Sequence, residues 1–201
     1  MRFHITCLAL GALALGGCTA VDLPSDLNNI QREEALLAAV VSPARPAEHI
    51  AQDAQRQPLE TMLFAGVAEG QRIAEISPGD GYYTRLLAQA VGSTGRIYVA
   101  VAVDNATSAA FFQSLAEQYG NIEIVSGISG LTELDMVWDI AASGSMDAQN
   151  YSQALRSGGV TYLETESLGD LFEVAAENDL VLDGRQDRTA PPIIGLRFRR
   201  R

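Results

Sequence analysis

"AEISPGDGYYTRLLAQAVGSTGRIYVAV", residues 74–101, is the stretch that decides the fold. It overlaps a strand predicted over 72–77 and contains a glycine-containing loop, a helix over 82–91 and a second strand over 96–103. The second strand is an almost unbroken apolar run, which is typical of a parallel strand covered by helices on both faces. This strand–loop–helix–strand unit predicts an α/β fold.

The sequence on either side of this unit continues the alternation of helices and strands. Upstream, short helices are predicted over 29–41, 47–56 and 59–65. Downstream, the predicted elements in chain order are a helix over 107–119, strands over 121–127 and 134–143, a helix, a Gly-Gly turn and a fifth strand within 150–166, a helix within 168–180, and an antiparallel pair over 181–187 and 193–201. This alternation predicts a three-layer α/β sandwich with a mostly parallel central sheet, preceded by short N-terminal helices.

Composition and charge exclude several classes of function. The 201-residue chain carries a net charge of −11, which repels phosphate backbones, so no nucleic-acid partner is expected. The closing run RFRRR, 197–201, is too short to reverse this and is interpreted as a solvated tail leaving an edge strand. The cysteines, Cys7 and Cys18, both lie near the N-terminus, so neither a disulfide nor a metal site is expected in the body of the chain. His49 is interpreted as a solvated helix residue.

The first residues indicate export and a lipid anchor. Arg2 precedes an apolar run over 5–15, which has the length of a signal-peptide core and is too short to span a bilayer. The sequence Leu15-Gly16-Gly17-Cys18 resembles the bacterial lipobox, in which the cysteine is acylated and becomes the new N-terminus. Acyl chains on that cysteine would hold the protein to a membrane.

This leader sets the predicted organisation of the chain. The predicted segments are a signal peptide over 1–17, a lipidated Cys18 with a tether over 18–42, and a folded domain over 43–201. Thr19, and not the aspartate linked to inner-membrane retention, follows the cysteine. The predicted location is therefore the bacterial cell envelope, lipid-anchored in the outer membrane and facing the periplasm.

The loop Ser77-Pro78-Gly79-Asp80-Gly81 carries the candidate chemistry. It follows the carboxyl end of a strand, where open α/β sheets bind ligands, and its glycines permit positive φ and close approach to a ligand. The helix that follows offers unpaired N–H groups to a carboxylate or phosphate, and Asp80 could cap it. A dinucleotide loop would need a third glycine where Thr84 stands, and a P-loop would need a Gly-Lys-Ser/Thr ending.

The pattern Glu75-x-Ser77-x-Gly79-x-Gly81 resembles motif I of class I S-adenosylmethionine-dependent methyltransferases, which is acidic-x-Gly-x-Gly-x-Gly. The sequence over 43–101 also resembles a bacterial group of exported proteins identified as methyltransferases. The stretch LRSGGVTYLE, beginning at Leu155, resembles the turn and fifth strand common in that class. The resemblance implies the seven-strand, Rossmann-like methyltransferase fold with S-adenosylmethionine as cofactor. It further implies that Glu75 orders the loop or meets the cofactor's amino group, and that the backbone of the loop contacts the cofactor.

Departures from that pattern leave two functions open. The acidic residue that usually holds the ribose hydroxyls falls at Val101, and Asp104 could serve only if the strand end is longer. Gly127 stands where an aspartate often meets the adenine, whereas Asp139 near the end of the fourth strand could face the pocket. One hypothesis is a methyltransferase acting on a small-molecule or lipid-associated acceptor, with no catalytic residue identified. The other is a catalytically inactive methyltransferase-fold lipoprotein that serves as a binding or interaction module of the envelope.

Overall fold

The computed structural model of the protein describes residues 25–102, 106–140, 145–189 and 192–201. The predicted signal peptide, Cys18 and Asp104 lie outside the described residues. The helices within those ranges are α1 (Ser25–Val40), α2 (Ala47–Ile50), α3 (Asp53–Arg56), α4 (Pro58–Ala65), α5 (Tyr82–Val91), α6 (Ala106–Tyr119), α7 (Ala148–Ala154) and α8 (Leu171–Glu177). The strands are β1 (Arg72–Ile76), β2 (Arg96–Ala100), β3 (Ile122–Val125), β4 (Leu134–Asp139), β5 (Leu155–Thr165), β6 (Leu180–Thr189) and β7 (Pro192–Arg200).

The seven strands of the described chain form one sheet in the order β3-β2-β1-β4-β5-β7-β6. Strands β1 to β5 pair in parallel, and β7 is antiparallel to both β5 and β6. The predicted mostly parallel sheet and the closing antiparallel pair are confirmed. The chain builds outward from β1 to β3 and then returns to the other side of β1 at β4, so the strand order reverses at β1, which is where open sheets bind ligands.

Helices cover both faces of this sheet. Helices α1, α4, α5 and α6 bury one apolar cluster, which includes Ile73 and Trp138, on the first face. Helices α7 and α8 bury a second cluster, which includes Val137 and Phe198, on the opposite face. The neighbours Val137 and Trp138 fall into different clusters because successive side chains of a strand point to opposite faces. The three layers predicted from the alternation of elements are therefore present.

The N-terminal helices differ in detail from the prediction. Helix α1 begins earlier than expected, and its Leu36 and Ala39 are buried in the first-face cluster. The single helix predicted over 47–56 is two short helices, α2 and α3, separated by a turn at 51–52. No helix within the described ranges is long and apolar enough to cross a membrane.

The interpretation of the closing arginine run as a solvated tail leaving an edge strand is wrong. Strand β7 lies between β5 and β6, so β6 and not β7 is the edge strand on this side of the sheet. Leu196 and Phe198 are fully buried, and Arg197 and Arg199 alternate with them on the other side of the strand. Arg197 and Arg199 both reach Asp183 of β6, at 2.9 and 2.7 Å. The period-two alternation of apolar and charged residues is the physical reason, since it allows one face of β7 to be buried while the other holds ion pairs.

Candidate functional site

The loop after β1 turns sharply and is strained. Gly81 N donates to Pro78 O at 3.0 Å, and the φ angles of Ser77, Gly79 and Gly81 are +54°, +57° and +77°. A side chain such as that of Ser77 costs about 1–2 kcal/mol in the left-handed region, where glycine is free. Strain of this kind is concentrated at binding sites and switches. Ser77, which replaces the first glycine of the motif, thus keeps a backbone conformation that glycine favours.

The two glycines of the loop serve different purposes. A Cβ added to Gly79 would meet no atom within 4 Å, so this residue faces open space. A Cβ added to Gly81 would lie 3.1 Å from Cε1 of Phe111 and 3.2 Å from Cδ1 of Leu115, both in α6. Gly81 therefore permits the close packing of α6 against the loop, whereas Gly79 leaves the space in front of the loop clear.

That space is an open cleft of about 650 Å³ at the carboxyl ends of β1 and β2. Its lining consists of the loop, the ends of two strands, one side of α6 and one residue after β3, namely Ile76, Ser77, Pro78, Gly79, Ala100, Val101, Ala102, Ser108, Phe112 and Ser126. The lining is mainly apolar, with three serine hydroxyls, and no titratable side chain belongs to it in the described part of the chain. Its size lies within the range of about 300–1,000 Å³ that is usual for small-molecule sites.

Glu75 lies beneath the loop and does not line the cleft. Its side chain is completely buried, Oε2 accepts a hydrogen bond from Thr84 Oγ1 at 2.6 Å, and Oε1 has no hydrogen-bond partner among the described residues. Burial raises the pKa of Glu75 to about 8, assisted by the charge of Asp80 and opposed by the Thr84 hydrogen bond. The carboxyl is therefore largely protonated at neutral pH, and it ties β1 to α5 across the base of the loop.

Asp80 points away from the cleft lining, toward the N-terminal helices. Its Oδ1 accepts a hydrogen bond from Tyr82 N, the first N–H of α5, at 3.2 Å, and its Oδ2 lies 3.4 Å from Nε2 of His49. The interpretation of His49 as a solvated residue is wrong, because only 4% of it is exposed and its ring packs on Tyr82 with centroids 5.4 Å apart. Burial lowers the pKa of His49, against the attraction of Asp80, so the imidazole is neutral at neutral pH.

A buried ionic network fixes the N-terminal helices over the start of α5. The guanidinium of Arg45 donates to both carboxylate oxygens of Asp53, at 2.8 and 2.6 Å, and to Val40 O at 2.6 Å. The Tyr82 hydroxyl donates to the same Asp53 at 2.6 Å. Burial alone would raise the pKa of Asp53, but the hydrogen bonds from Arg45 and Tyr82 hold it below its ordinary value. The network positions α2 and α3, and with them His49, beside the loop.

Asp139 lies at the end of β4 and is not part of the cleft lining. Only 5% of this residue is exposed, and it accepts a hydrogen bond from the Tyr151 hydroxyl of α7 at 2.8 Å. Burial, together with the negative charge of Asp139, raises the pKa of Tyr151, so this hydroxyl remains a donor. The contact joins β4 to α7 on the second face of the sheet.

The structure thus brings together only some of the sequence candidates. Ser77 and Gly79 line the cleft. Glu75, Asp80 and Gly81 do not line it but hold the loop in place through their contacts with α5, α6 and His49. Asp139 lies elsewhere and binds the Tyr151 hydroxyl. The lining residues outside the predicted loop that sequence reasoning did not select are Ile76, Ala100, Ala102, Ser108, Phe112 and Ser126. The rule that ligands meet the carboxyl ends of parallel strands points to the residues after β2 and β3, but nothing local indicates those from α6. The described residues contain no cluster of histidine, cysteine, aspartate or glutamate able to hold a metal ion.

No protein-family model matches this chain, and no curated protein matches it by sequence. Solved structures match its fold. Geranyl diphosphate C-methyltransferase from Streptomyces coelicolor A3(2) superposes with a TM-score of 0.61 at 14% identity, covering 82% of this chain and 84% of that one. A SAM-dependent methyltransferase from Aquifex aeolicus gives 0.59 at 12% identity, covering 77% and 98%.

A third similar structure is the fibrillarin of Aeropyrum pernix with natively bound S-adenosyl-L-methionine, with a TM-score of 0.57 at 15% identity, covering 70% of this chain and 73% of that one. At such identities the likeness establishes the fold. The protein therefore has the class I methyltransferase fold, a Rossmann-like α/β sandwich, as the sequence resemblance implied.

Proposed function

We propose that this protein is an S-adenosylmethionine-dependent, methyltransferase-like lipoprotein of the bacterial cell envelope. The observation that carries the cofactor assignment is the open cleft at the ends of β1 and β2, beside a strained loop with positive φ at 77, 79 and 81. Two of the similar solved structures are described as methyltransferases, one of them in complex with S-adenosyl-L-homocysteine, and the third is a fibrillarin with natively bound S-adenosyl-L-methionine. The loop and the cleft lie at the carboxyl ends of the strands, at the point where the strand order reverses. Open α/β sheets bind ligands at this point.

The residues present fit a nucleoside with an amino-acid side chain. Gly79 leaves its side of the loop unobstructed, so the backbone at 77–79 can approach the amino-acid part of the cofactor. The apolar walls at Val101 and Phe112 suit a base, and the hydroxyls of Ser77 and Ser126 offer hydrogen bonds. Glu75 would act from beneath, by holding β1 and α5 together through Thr84.

Bound S-adenosylmethionine would supply a methyl group on a sulfonium sulfur. Transfer of such a group depends largely on holding the acceptor in line with the methyl, so the chain's contribution is orientation and exclusion of water. The acceptor proposed is a small-molecule or lipid-associated nucleophile.

Calorimetric titration of S-adenosylmethionine and S-adenosylhomocysteine into the full chain tests this assignment. We expect micromolar binding that Gly79→Asp weakens by at least ~10-fold, equivalent to about 1.4 kcal/mol, because the new carboxylate occupies the cleft. The matched control is Gly120→Asp, since Gly120 also has positive φ (+73°) and open space around its Cβ position but lies outside the cleft lining. No heat at millimolar ligand, or equal loss in both variants, would contradict the assignment.

A second candidate function is a binding or interaction module that keeps the fold without the enzyme activity. It is favoured by the lack of any titratable side chain in the cleft lining of the described residues. Where the methyltransferase class usually has an acid for the ribose, the lining offers Val101 between Ala100 and Ala102. This candidate predicts that the same titration gives no heat with either nucleoside.

The lipid anchor is a separate part of the proposal and has its own test. Cys18 follows an apolar run and two glycines, which supports acylation at its thiol. We expect a labelled fatty acid to enter the protein in cells, and Cys18→Ser to lose the label and leave the membrane fraction. Cys7→Ser is the control, because that cysteine lies within the apolar run of the proposed signal peptide and should not change the labelling. Retained labelling in Cys18→Ser would refute the anchor.

A further inference from the structure

A polar pocket that the proposed cofactor site does not use lies at the opposite ends of the central strands. This arginine pocket, of about 220 Å³, lies at the amino ends of β4 and β5 and is lined by Arg32, Arg156, Arg197 and Arg199, with Asp135 as the lining carboxylate. Since one water occupies about 30 Å³ of liquid, the pocket has room for a small polyatomic ion.

Positive charge is in excess in the arginine pocket. Asp135 pairs with Arg156 at 2.7 Å, and Asp183 pairs with both Arg197 and Arg199. Four guanidinium groups thus face two carboxylates, which leaves two positive charges uncompensated among the described residues. Hydrogen bonding by Arg199 and the nearby positive charges lower the pKa of Asp183, so the count holds at neutral pH. The local excess contrasts with the chain's net charge of −11.

The guanidinium groups are held in place before any ligand arrives. Arg197 Nη1 donates to Phe64 O at 2.7 Å, Arg199 Nη1 donates to Gly158 O at 2.9 Å, and Arg156 Nη1 donates to Ser157 O at 3.0 Å. Each guanidinium has five N–H donors, so several remain for a ligand. Preorganised, planar donor sets of this kind suit tetrahedral oxyanions, and arginine binds phosphate with paired hydrogen bonds.

Arg32 is the lining arginine without a structural task. Its Nε is buried and has no hydrogen-bond partner among the described residues, although α1 places it against the pocket. Leaving a buried charged donor unpaired is costly, and an anion in the pocket would relieve that cost. We propose that the arginine pocket is a binding site for a phosphate group, carried either by a soluble phosphate ester or by a phospholipid headgroup.

The course of α1 favours the headgroup as the source. Arg32 lies near the amino ends of the parallel strands. Val40 O accepts a hydrogen bond from Arg45 near the start of α5, at the carboxyl ends of these strands. Helix α1 therefore runs from the amino ends of the strands to their carboxyl ends. Its first residue, Ser25, is therefore on the side of the arginine pocket. If Cys18 carries the proposed acyl groups, the seven residues from there to Ser25 reach at most about 24 Å. This step rests on the proposed anchor, while the pocket itself does not.

Titration of inorganic phosphate at constant ionic strength tests the pocket. The protein is the full chain with Cys18→Ser, so that no acyl group contributes. We expect Arg32→Gln and Arg156→Gln each to weaken phosphate binding by ~10-fold or more, because each removes a charged donor. The control is Arg185→Gln, which removes an exposed arginine of β6 that is paired with Asp187 outside the pocket. Since the side chain of Arg32 makes no hydrogen bond to the described residues, the unfolding midpoint of its variant should not fall below that of the parent chain.

Flotation with phosphatidylcholine vesicles, with and without phosphatidylglycerol, identifies the source. Phosphatidylglycerol-dependent flotation that Arg32→Gln abolishes and Arg185→Gln retains supports the headgroup. Phosphate binding without such flotation supports a soluble phosphate ester at the same site. The proposal is overturned if neither ligand binds, or if Arg32→Gln binds as well as Arg185→Gln. Because S-adenosylmethionine takes no part in either assay, the outcome is independent of the proposed cofactor site.

Discussion

Replacing Glu75 with glutamine is expected to stabilise the protein at pH 8 and to change its stability little at pH 4.5. The pKa of Glu75 rises from its ordinary value of 4.5 to about 8 in the folded protein, chiefly because of burial. The folded state therefore holds a proton that the unfolded state has already lost between these pH values. The favourable contribution of this group is complete below pH 4.5 and is lost as the pH rises toward 8.

The size of the effect follows from proton linkage. Each pH unit within the window, which runs from 4.5 to about 8, changes the free energy of unfolding by about 1.4 kcal/mol, so the whole window corresponds to ~5 kcal/mol. Glutamine keeps the shape and an acceptor for Thr84 but does not ionise, so Glu75→Gln should lack this dependence. Denaturant unfolding of both proteins at pH 5, 6, 7 and 8 measures it.

The matched control is Glu123→Gln, which removes an exposed carboxylate from β3. Its unfolding free energy should follow that of the parent chain at every pH. If the unfolding free energies of Glu75→Gln and the parent chain change with pH by the same amount, then Glu75 is not a protonated acid in the folded state. A buried acid that destabilises the protein at neutral pH and lies beneath a strained loop is the type of group that is often found near functional sites.

Much of the fold could be predicted from the sequence because parallel strands are buried on both faces. The continuous apolar run over 97–103 and the strand before it indicate a covered parallel sheet, and the turn residues at 77–81 separate strand from helix without ambiguity. The closing arginine run is wrongly predicted from its charge, because its alternation with the buried Leu196 and Phe198 is the pattern of a strand. A strand can bury one face and hold ion pairs on the other, so charge alone does not indicate a tail.

The candidate site could be predicted only where its residues belong to one contiguous motif. Ser77 and Gly79 follow from the loop pattern, whereas Phe112 enters the cleft through the packing of α6, which no local signal specifies. The burial of His49 has no local signal, because it depends on Tyr82, 33 residues later, and on Asp80. Thr84, which breaks a dinucleotide motif, has a positive role that appears only in three dimensions, as the donor to the buried Glu75.

Replacing Arg188 with methionine is expected to destabilise the protein by about 3–5 kcal/mol, the usual cost of breaking a buried ion pair. Arg188 Nη2 lies 2.5 Å from Oε1 of Glu164, and the two side chains are only 9% and 10% exposed. The same guanidinium donates to Arg56 O at 2.6 Å, which ties the edge strand β6 to the end of α3. Methionine fills similar space but leaves the carboxylate of Glu164 buried without its cation. Denaturant unfolding at pH 7 gives the value.

Two further variants decide whether the buried pair is the cause. Arg185→Met removes an exposed pair on the same strand, with side chains 44% and 58% exposed, and should cost less than about 1 kcal/mol. The double variant Arg188→Met, Glu164→Gln should recover part of the lost stability, because glutamine removes the uncompensated charge. Glutamine can also still accept the hydrogen bond that the Tyr162 hydroxyl donates to Glu164 in the parent chain, where it is 2.8 Å long. If Arg188→Met costs no more than Arg185→Met, the pair contributes nothing beyond a surface contact. If the double variant is as unstable as the single one, the loss comes from the severed contact with α3, and β6 is held to the domain through the Arg56 carbonyl.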